Sequence, residues 1–162
     1  MLSDPSATSG LFTIDPCEPA GVCPKTAACD METDDGGWTT LLKRKDGSVS
    51  FSRGLGEYES GFGDVSGEHW LGLEAAQKIS AAEATDLLVE LEPFGGLDCS
   101  HAVSYRNFHL LGPSYSLQYD GFQALTPGMG NGLIDEKGQP FTAISDTGSC
   151  ADFFRSAFQN LA

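Results

Sequence analysis

Residues 29 to 39 read Cys-Asp-Met-Glu-Thr-Asp-Asp-Gly-Gly-Trp-Thr, and this block constrains the fold more than any other stretch of the chain. Asp34, Asp35, Gly36 and Gly37 predict a turn in which glycine supplies a positive φ or a close backbone approach, and Trp38 then starts a β run through Thr39 to Leu42. Cys29, just ahead of the turn, is placed to anchor it covalently.

The block resembles the opening signature of fibrinogen-related domains, Cys-Asp-Met-x-Thr-x-Gly-Gly-Gly-Trp-Thr, with Asp35 standing where the first glycine of the triplet falls. The next segment extends the resemblance. Phe51-Ser-Arg53-Gly54, Glu57-Tyr58, Gly61-Phe62-Gly63 and Gly67-Glu68-His69-Trp70-Leu71-Gly72 follow the family's Phe-x-Arg-Gly, Glu-Tyr, Gly-Phe-Gly and Gly-Glu-x-Trp-Leu-Gly series in order and spacing. Intelectin-type lectins share the first block and lack this series. Ser9 to Ile14, Leu87 to Pro93, Tyr105 to Phe108 and Tyr115 to Tyr119 are similar to the family's strands. Gly130 to Leu133, Phe141-Thr142 and Cys150-Ala151 are similar to its later landmarks. The resemblance implies an α+β fold: a twisted antiparallel sheet, short helices and a loop-rich C-terminal subdomain that is incomplete here. The domain is expected over 9–162, after a short tail at 1–8.

Composition agrees with one such module. A chain of 162 residues with 40% apolar content is long enough for one buried core. Acidic residues outnumber basic ones by 23 to 9, and a net charge of −14 repels phosphate backbones and anionic lipid alike, which argues against nucleic-acid and membrane partners. No run approaches the ~20 apolar residues of a membrane span. The start, Met1-Leu-Ser-Asp4, lacks the basic and apolar regions of a signal peptide, so the expectation is a leader already removed or a partial sequence.

The five cysteines leave one unpaired whatever the pairing. In the family the cysteine matching Cys29 is bonded to one upstream of the Ser-Gly strand, and here Cys17 or Cys23 stands in a position to replace it by closing a short loop onto Cys29. Cys150 matches the first cysteine of the family's second disulfide, whose partner would lie beyond Ala162. Cys99 matches no landmark. Free buried thiols are the alternative for all of them. A metal site at Cys17, Cys23 and Cys29 is the weaker reading, with no histidine nearby and no Cys-x-x-Cys pair.

Along the chain, 20 glycines and 8 prolines mark turns within one fold. Leu73 to Ile79 is the best helix candidate, and Ser80 with Glu83 has the spacing of a capping box that would start a second helical turn. Leu87, Val89 and Leu91 alternate with Asp86, Glu90 and Glu92, which predicts a half-buried strand ended by Pro93; Leu88 implies that both faces are partly covered.

Catalytic arrangements are poorly supported. Cys99 and His101 would share a strand face, but no third group is suggested to orient them, so a packed or solvated histidine is the stronger reading. Glu90 and Glu92 fit a solvated strand face. Trp38, Trp70, Phe51 and Phe62 sit beside glycine turns and are better read as core than as a ligand cleft.

The resemblance places a calcium loop between Phe141 and Cys150. This interval holds one aspartate, so Asp146 and the Gly148 carbonyl would form at best a weak site, and an Asx turn is the alternative. The family's aromatic-lined pocket for acetyl groups or a peptide amino terminus is built mainly after the Cys-Ala pair. The reading is therefore a noncatalytic, secreted recognition module of the lectin or innate-immune type, with an acetylated glycan or a protein as ligand and oligomerisation left to segments outside this chain. The alternative is a structural or adhesive matrix module without glycan specificity.

Overall fold

The structure is a computed structural model that describes residues 8–17, 21–82, 84–92 and 100–143. The chain divides into two compact units, 1–78 and 79–162.

In the first unit, β1 (Gly10–Ile14), β2 (Lys25–Asp30) and β3 (Trp38–Thr39) form an antiparallel sheet in which β2 is central. Phe12 faces Ala27 across β1 and β2, and Ala27 is fully buried. Between β2 and β3 the chain makes a 3-10 turn at Thr33–Asp35. The expected β run from Trp38 to Leu42 is interrupted: β3 ends at Thr39, and β4 (Leu42–Lys43) joins a different sheet. That second sheet contains β5 (Phe62–Gly63) and β6 (His69–Trp70), with β6 in the middle.

The glycine series Gly36, Gly61 and Gly63 has a steric origin. Gly36 has φ +78°, and a Cβ there would lie 2.5 Å from the Met31 carbonyl oxygen. Gly61 has φ +91°, and its Cβ would lie 2.4 Å from the Leu71 carbonyl oxygen. Only a residue without a side chain fits either place. A short helix, α1 (Leu55–Ser60), precedes Gly61; the Glu57 side chain reaches back to the Gly54 N–H at its start. The motif Glu57-Tyr58 thus lies on a helix.

The longer helix, α2 (Leu73–Ala82), buries Leu73, Ala75 and Ala76 and exposes Glu74 and Lys78. Helix formation over Leu73 to Ile79 holds, and the break at Ser80 does not: Ser80 is buried inside α2 rather than capping a new turn. An alanine-rich run with no glycine or proline gives the helix no reason to stop there.

In the second unit, β7 (Leu87–Leu91), β8 (His101–Arg106) and β11 (Gly121–Ala124) form an antiparallel sheet with β8 central. Glu90 and Glu92 are exposed, while Leu87, Leu88, Val89 and Leu91 are half-buried, as the alternation with its exception at Leu88 implied. A hairpin of β9 (His109–Leu111) and β10 (Ser116–Gln118) pairs Leu110 with Leu117, both buried. Asn107 turns the chain from β8 to β9 at φ +51°, with its N–H on Asp86 and its side-chain amide on Asp120. Asparagine tolerates this left-handed conformation because its short side chain bonds locally. Among the described residues, no helix is long and apolar enough to cross a membrane.

Candidate functional site

The turn that opens the first motif is held by a carboxylate. Asp30 Oδ1 accepts from the N–H groups of Glu32 (2.7 Å) and Thr33 (3.1 Å), and Oδ2 accepts from the Thr33 hydroxyl at 2.6 Å. Ser9 Oγ donates to the same Oδ1 and accepts from Met31 N–H, tying β1 to the turn. These donors, led by the Thr33 hydroxyl, bring the Asp30 carboxyl down to about 2. Trp38 Nε1–H then donates to the Thr33 carbonyl at 2.9 Å.

The covalent anchor expected at Cys29 is corrected by the structure. Cys17 is bonded to Cys23, and Cys29 is a buried free thiol on β2. Cys17 and Cys23 are six positions apart in sequence, and their Cα atoms lie 5.5 Å apart. Cys29 instead faces Gly10 on β1 and Thr39 on β3. Burial pushes its thiol up, opposed by a hydrogen bond with the Thr39 side chain. The metal reading of these cysteines also fails. Asp15, Cys17 and Cys23 do converge, but both sulfurs are consumed in the disulfide, and Asp15 Oδ1 accepts from the Cys17 and Cys23 N–H groups.

A second carboxylate organises the loop after β4, and sequence reasoning missed its role. Glu68 is 2% exposed. Its Oε1 accepts from the N–H groups of Lys45 (2.7 Å), Asp46 (3.0 Å) and Gly47 (2.9 Å), and Oε2 from Val49 N–H (2.9 Å) and Arg44 Nη1 (3.1 Å). Burial by itself would raise this acid; the four backbone donors outweigh it and hold the carboxyl at about 2. The sequence signal was the Glu of Gly-Glu-His-Trp, an acid directly before a short strand that is buried throughout. Its partners lie 19 to 24 residues away, which no local pattern reveals.

This latch seats an aromatic cluster. Arg44 lies over Phe51 at 4.0 Å, Phe51 meets Phe62 edge-on at 4.9 Å, and Tyr58 meets Phe62 at 5.2 Å. Trp70 Nε1–H donates to the Tyr58 carbonyl and Tyr58 OH to the Phe51 carbonyl, so the polar edges of the rings are satisfied inside the cluster. Trp70 is 4% exposed. Beside it lies a partly open recess of about 190 Å³, lined by Lys25, Phe62, Val65, Trp70 and Leu71 among others. Its volume falls below the ~300 Å³ at which small-molecule sites begin. Lys25 Nζ donates to the Ser60 carbonyl at its edge, and burial lowers this amine. Packing, not ligand capture, accounts for Trp70, Phe51 and Phe62.

In the second unit the landmark Gly130-Asn-Gly-Leu133 is fixed by Tyr119 and Asn131. Tyr105 is buried against Tyr119 and Phe122, and burial pushes its ionisation up; the Leu133 N–H donates to Asn131 Oδ1 at 3.2 Å. Tyr119 OH donates to the Leu133 carbonyl (3.3 Å) and bonds Asn131. The chain then returns along β10, with Gly138 N–H on the Leu117 carbonyl and Phe141 N–H on the Ser114 carbonyl. Phe141 is buried and delivers the chain to the segment where Asp146 and Gly148 were assigned to calcium. Asp146, Gly148, Cys150 and Cys99 lie outside the described residues, as does the region expected to build an acetyl pocket. His101 begins β8 opposite Leu91, and its Nδ1 has no hydrogen-bond partner among the described residues.

Among the described residues, small antiparallel sheets, two α-helices and an aromatic cluster braced by a buried carboxylate make up the frame of a fibrinogen-like globe. The chain belongs to the family described as fibrinogen beta and gamma chains, C-terminal globular domain, whose model matches residues 2–157. It is 36% identical over 162 residues to mouse fibrinogen C domain-containing protein 1, covering 92% of this chain and 34% of that protein. The fibrinogen-like globe domain of human ANGPTL2 superposes with a TM-score of 0.77 at 30% identity, covering 85% of this chain and 61% of that one. Lamprey fibrin D-dimer, in a complex with the peptide Gly-His-Arg-Pro-amide, gives a TM-score of 0.64 at 30% identity, covering 72% and 37%. The chain spans about a third or less of the curated relatives it matches. Members of this family are noncatalytic ligand-binding modules.

Proposed function

We propose that this chain is a noncatalytic recognition module that works outside the cell and takes a protein or peptide surface as its ligand. The observation that carries this reading is its likeness to fibrinogen-like globes, among them the lamprey fibrin fragment, whose complex contains a peptide. The Cys17–Cys23 disulfide supports an oxidising compartment. An acetylated glycan is the second ligand class, supported by the resemblance of the sequence to lectin-type members. Calcium, on this reading, is held weakly by the Asp146 carboxylate and the Gly148 carbonyl, because one carboxylate is a poor donor set for an ion that prefers six to eight oxygens. The domain is taken to run over 9–162.

Two immobilised ligands distinguish the readings. Saturable binding of the chain to Gly-His-Arg-Pro-amide with no retention on an N-acetylglucosamine resin supports peptide recognition. Retention on the resin with elution by the free sugar replaces it with the glycan reading. A structural matrix module binds a protein partner and neither small ligand.

A further inference from the structure

The connection between β1 and β2 carries a disulfide whose two sulfurs are in unequal surroundings. Cys17 and Cys23 are both half-buried, so a small thiol reaches either one. Asp15 treats them alike: Oδ1 accepts from Cys17 N–H at 3.1 Å and from Cys23 N–H at 2.9 Å, and a carboxylate oxygen lies within 4.8 Å of both sulfurs. Its negative charge disfavours a thiolate at either position and cannot choose between them. Lys78 does choose. From the exposed face of α2, its Nζ comes to 3.1 Å from Cys17 Sγ, and no ammonium makes such a contact with Cys23 among the described residues.

A disulfide opens when a thiolate bonds to one sulfur and the other leaves with the electron pair, and the sulfur that leaves faster is the one whose thiolate is better stabilised. A neighbouring lysine ammonium provides that stabilisation. We infer that Cys17–Cys23 is a polarised site of thiol–disulfide exchange, at which an incoming thiolate attacks Cys23 Sγ and Cys17 departs as a thiolate facing Lys78. With a monothiol such as glutathione, the Cys17–Cys23 bond breaks, a mixed disulfide forms on Cys23, and the electron pair stays on Cys17; no net oxidation occurs. With a dithiol, the second thiolate then attacks the mixed disulfide, so the dithiol is oxidised and both cysteines end as thiols. Among the described residues no thiol of the chain serves as attacker, since Cys29 is buried and burial disfavours its thiolate. The site opens the covalent tie between β1 and β2.

The test uses the full chain, its reactive free thiols first blocked with iodoacetamide, and peptide mapping tells the buried Cys29 apart from Cys17 and Cys23. A brief exposure to glutathione is quenched, the released thiol is trapped with N-ethylmaleimide, and the peptides are mapped by mass spectrometry. The expected product carries glutathione on Cys23 and maleimide on Cys17, in about fivefold or greater excess over the reverse. Lys78→Met, a change at an exposed position, should bring the ratio close to one and slow opening, whereas Lys78→Arg should keep the bias; molar salt should reduce it by screening. Equal labelling in the unaltered chain, a reversed ratio, or an unchanged ratio in Lys78→Met with an unchanged circular dichroism spectrum would overturn the inference.

Discussion

Glu68 is an acid that burial alone would neutralise, and the backbone of residues 45 to 49 keeps it charged. Replacing it by glutamine puts an amide N–H₂ against N–H donors, so Glu68→Gln should lower the unfolding free energy by about 2 to 3 kcal/mol, measured by urea denaturation. The pH dependence follows from the sign of the shifts. Glu68 and Asp30 have folded values of about 2, below the ordinary 4.5 and 3.8, so each contributes stability above its ordinary value and loses it as pH falls through the folded one. The urea midpoint should therefore drop between about pH 4.5 and 2, and less steeply in Glu68→Gln. A midpoint flat over that window would show that neither carboxylate is held as described. Asp35 makes the opposite point: it sits at φ +69°, in the place where the family's signature has glycine. Asp35→Gly should relieve that backbone strain and stabilise the protein by about 0.5 to 1 kcal/mol, read as a rise in urea midpoint. The sequence exposed this position through its departure from the pattern. It said nothing of Glu68, whose environment depends on a loop folded around it.

Strands and loops were legible to different degrees. The alternation of Leu87, Val89 and Leu91 marked β7 because a strand's periodicity is written in adjacent residues. The run from Trp38 to Leu42 was less informative, since β-forming residues continue while the chain passes from one sheet to another. Ser80 misled because a capping pattern is only a local option, and the helix around it continues into Ala82. On β2, Cys29 should react slowly with iodoacetamide in the native protein, about a hundredfold slower than in denaturant, because it is buried and its thiolate is disfavoured. Pulsed alkylation read by mass spectrometry checks this; rapid native labelling would mean that β2 opens readily. In the other unit, Tyr119→Phe removes the hydroxyl that donates to the Leu133 carbonyl and accepts from the Asn131 amide. A loss of about 1 to 2 kcal/mol in urea is expected, and a neutral result would mean that water takes over the bonds.

The family likeness and the single carboxylate near Cys150 meet in the calcium question. A weak site, with a dissociation constant near ~10⁻³ M, should stabilise the chain by only ~0.4 kcal/mol in millimolar calcium, whereas a hundredfold excess over the dissociation constant would give ~2.7. Thermal unfolding in calcium against EDTA should thus show a small rise that vanishes in Asp146→Ala. A large rise would reveal further carboxylates at the site, and a rise unaffected by the substitution would place the ion elsewhere. Family and fold could be read from the chain because the glycine, aromatic and acidic signatures are contiguous, and each answers a local need such as a positive φ at Gly36 or a close approach at Gly61. Bond partners could not be read that way. Cys17 found Cys23 instead of Cys29, Glu68 gathered N–H groups some twenty residues earlier, and Lys78 reached a sulfur 61 residues away. Such pairings depend on which distant segments the folded backbone brings within a few ångströms, and residue spacing carries no term for that.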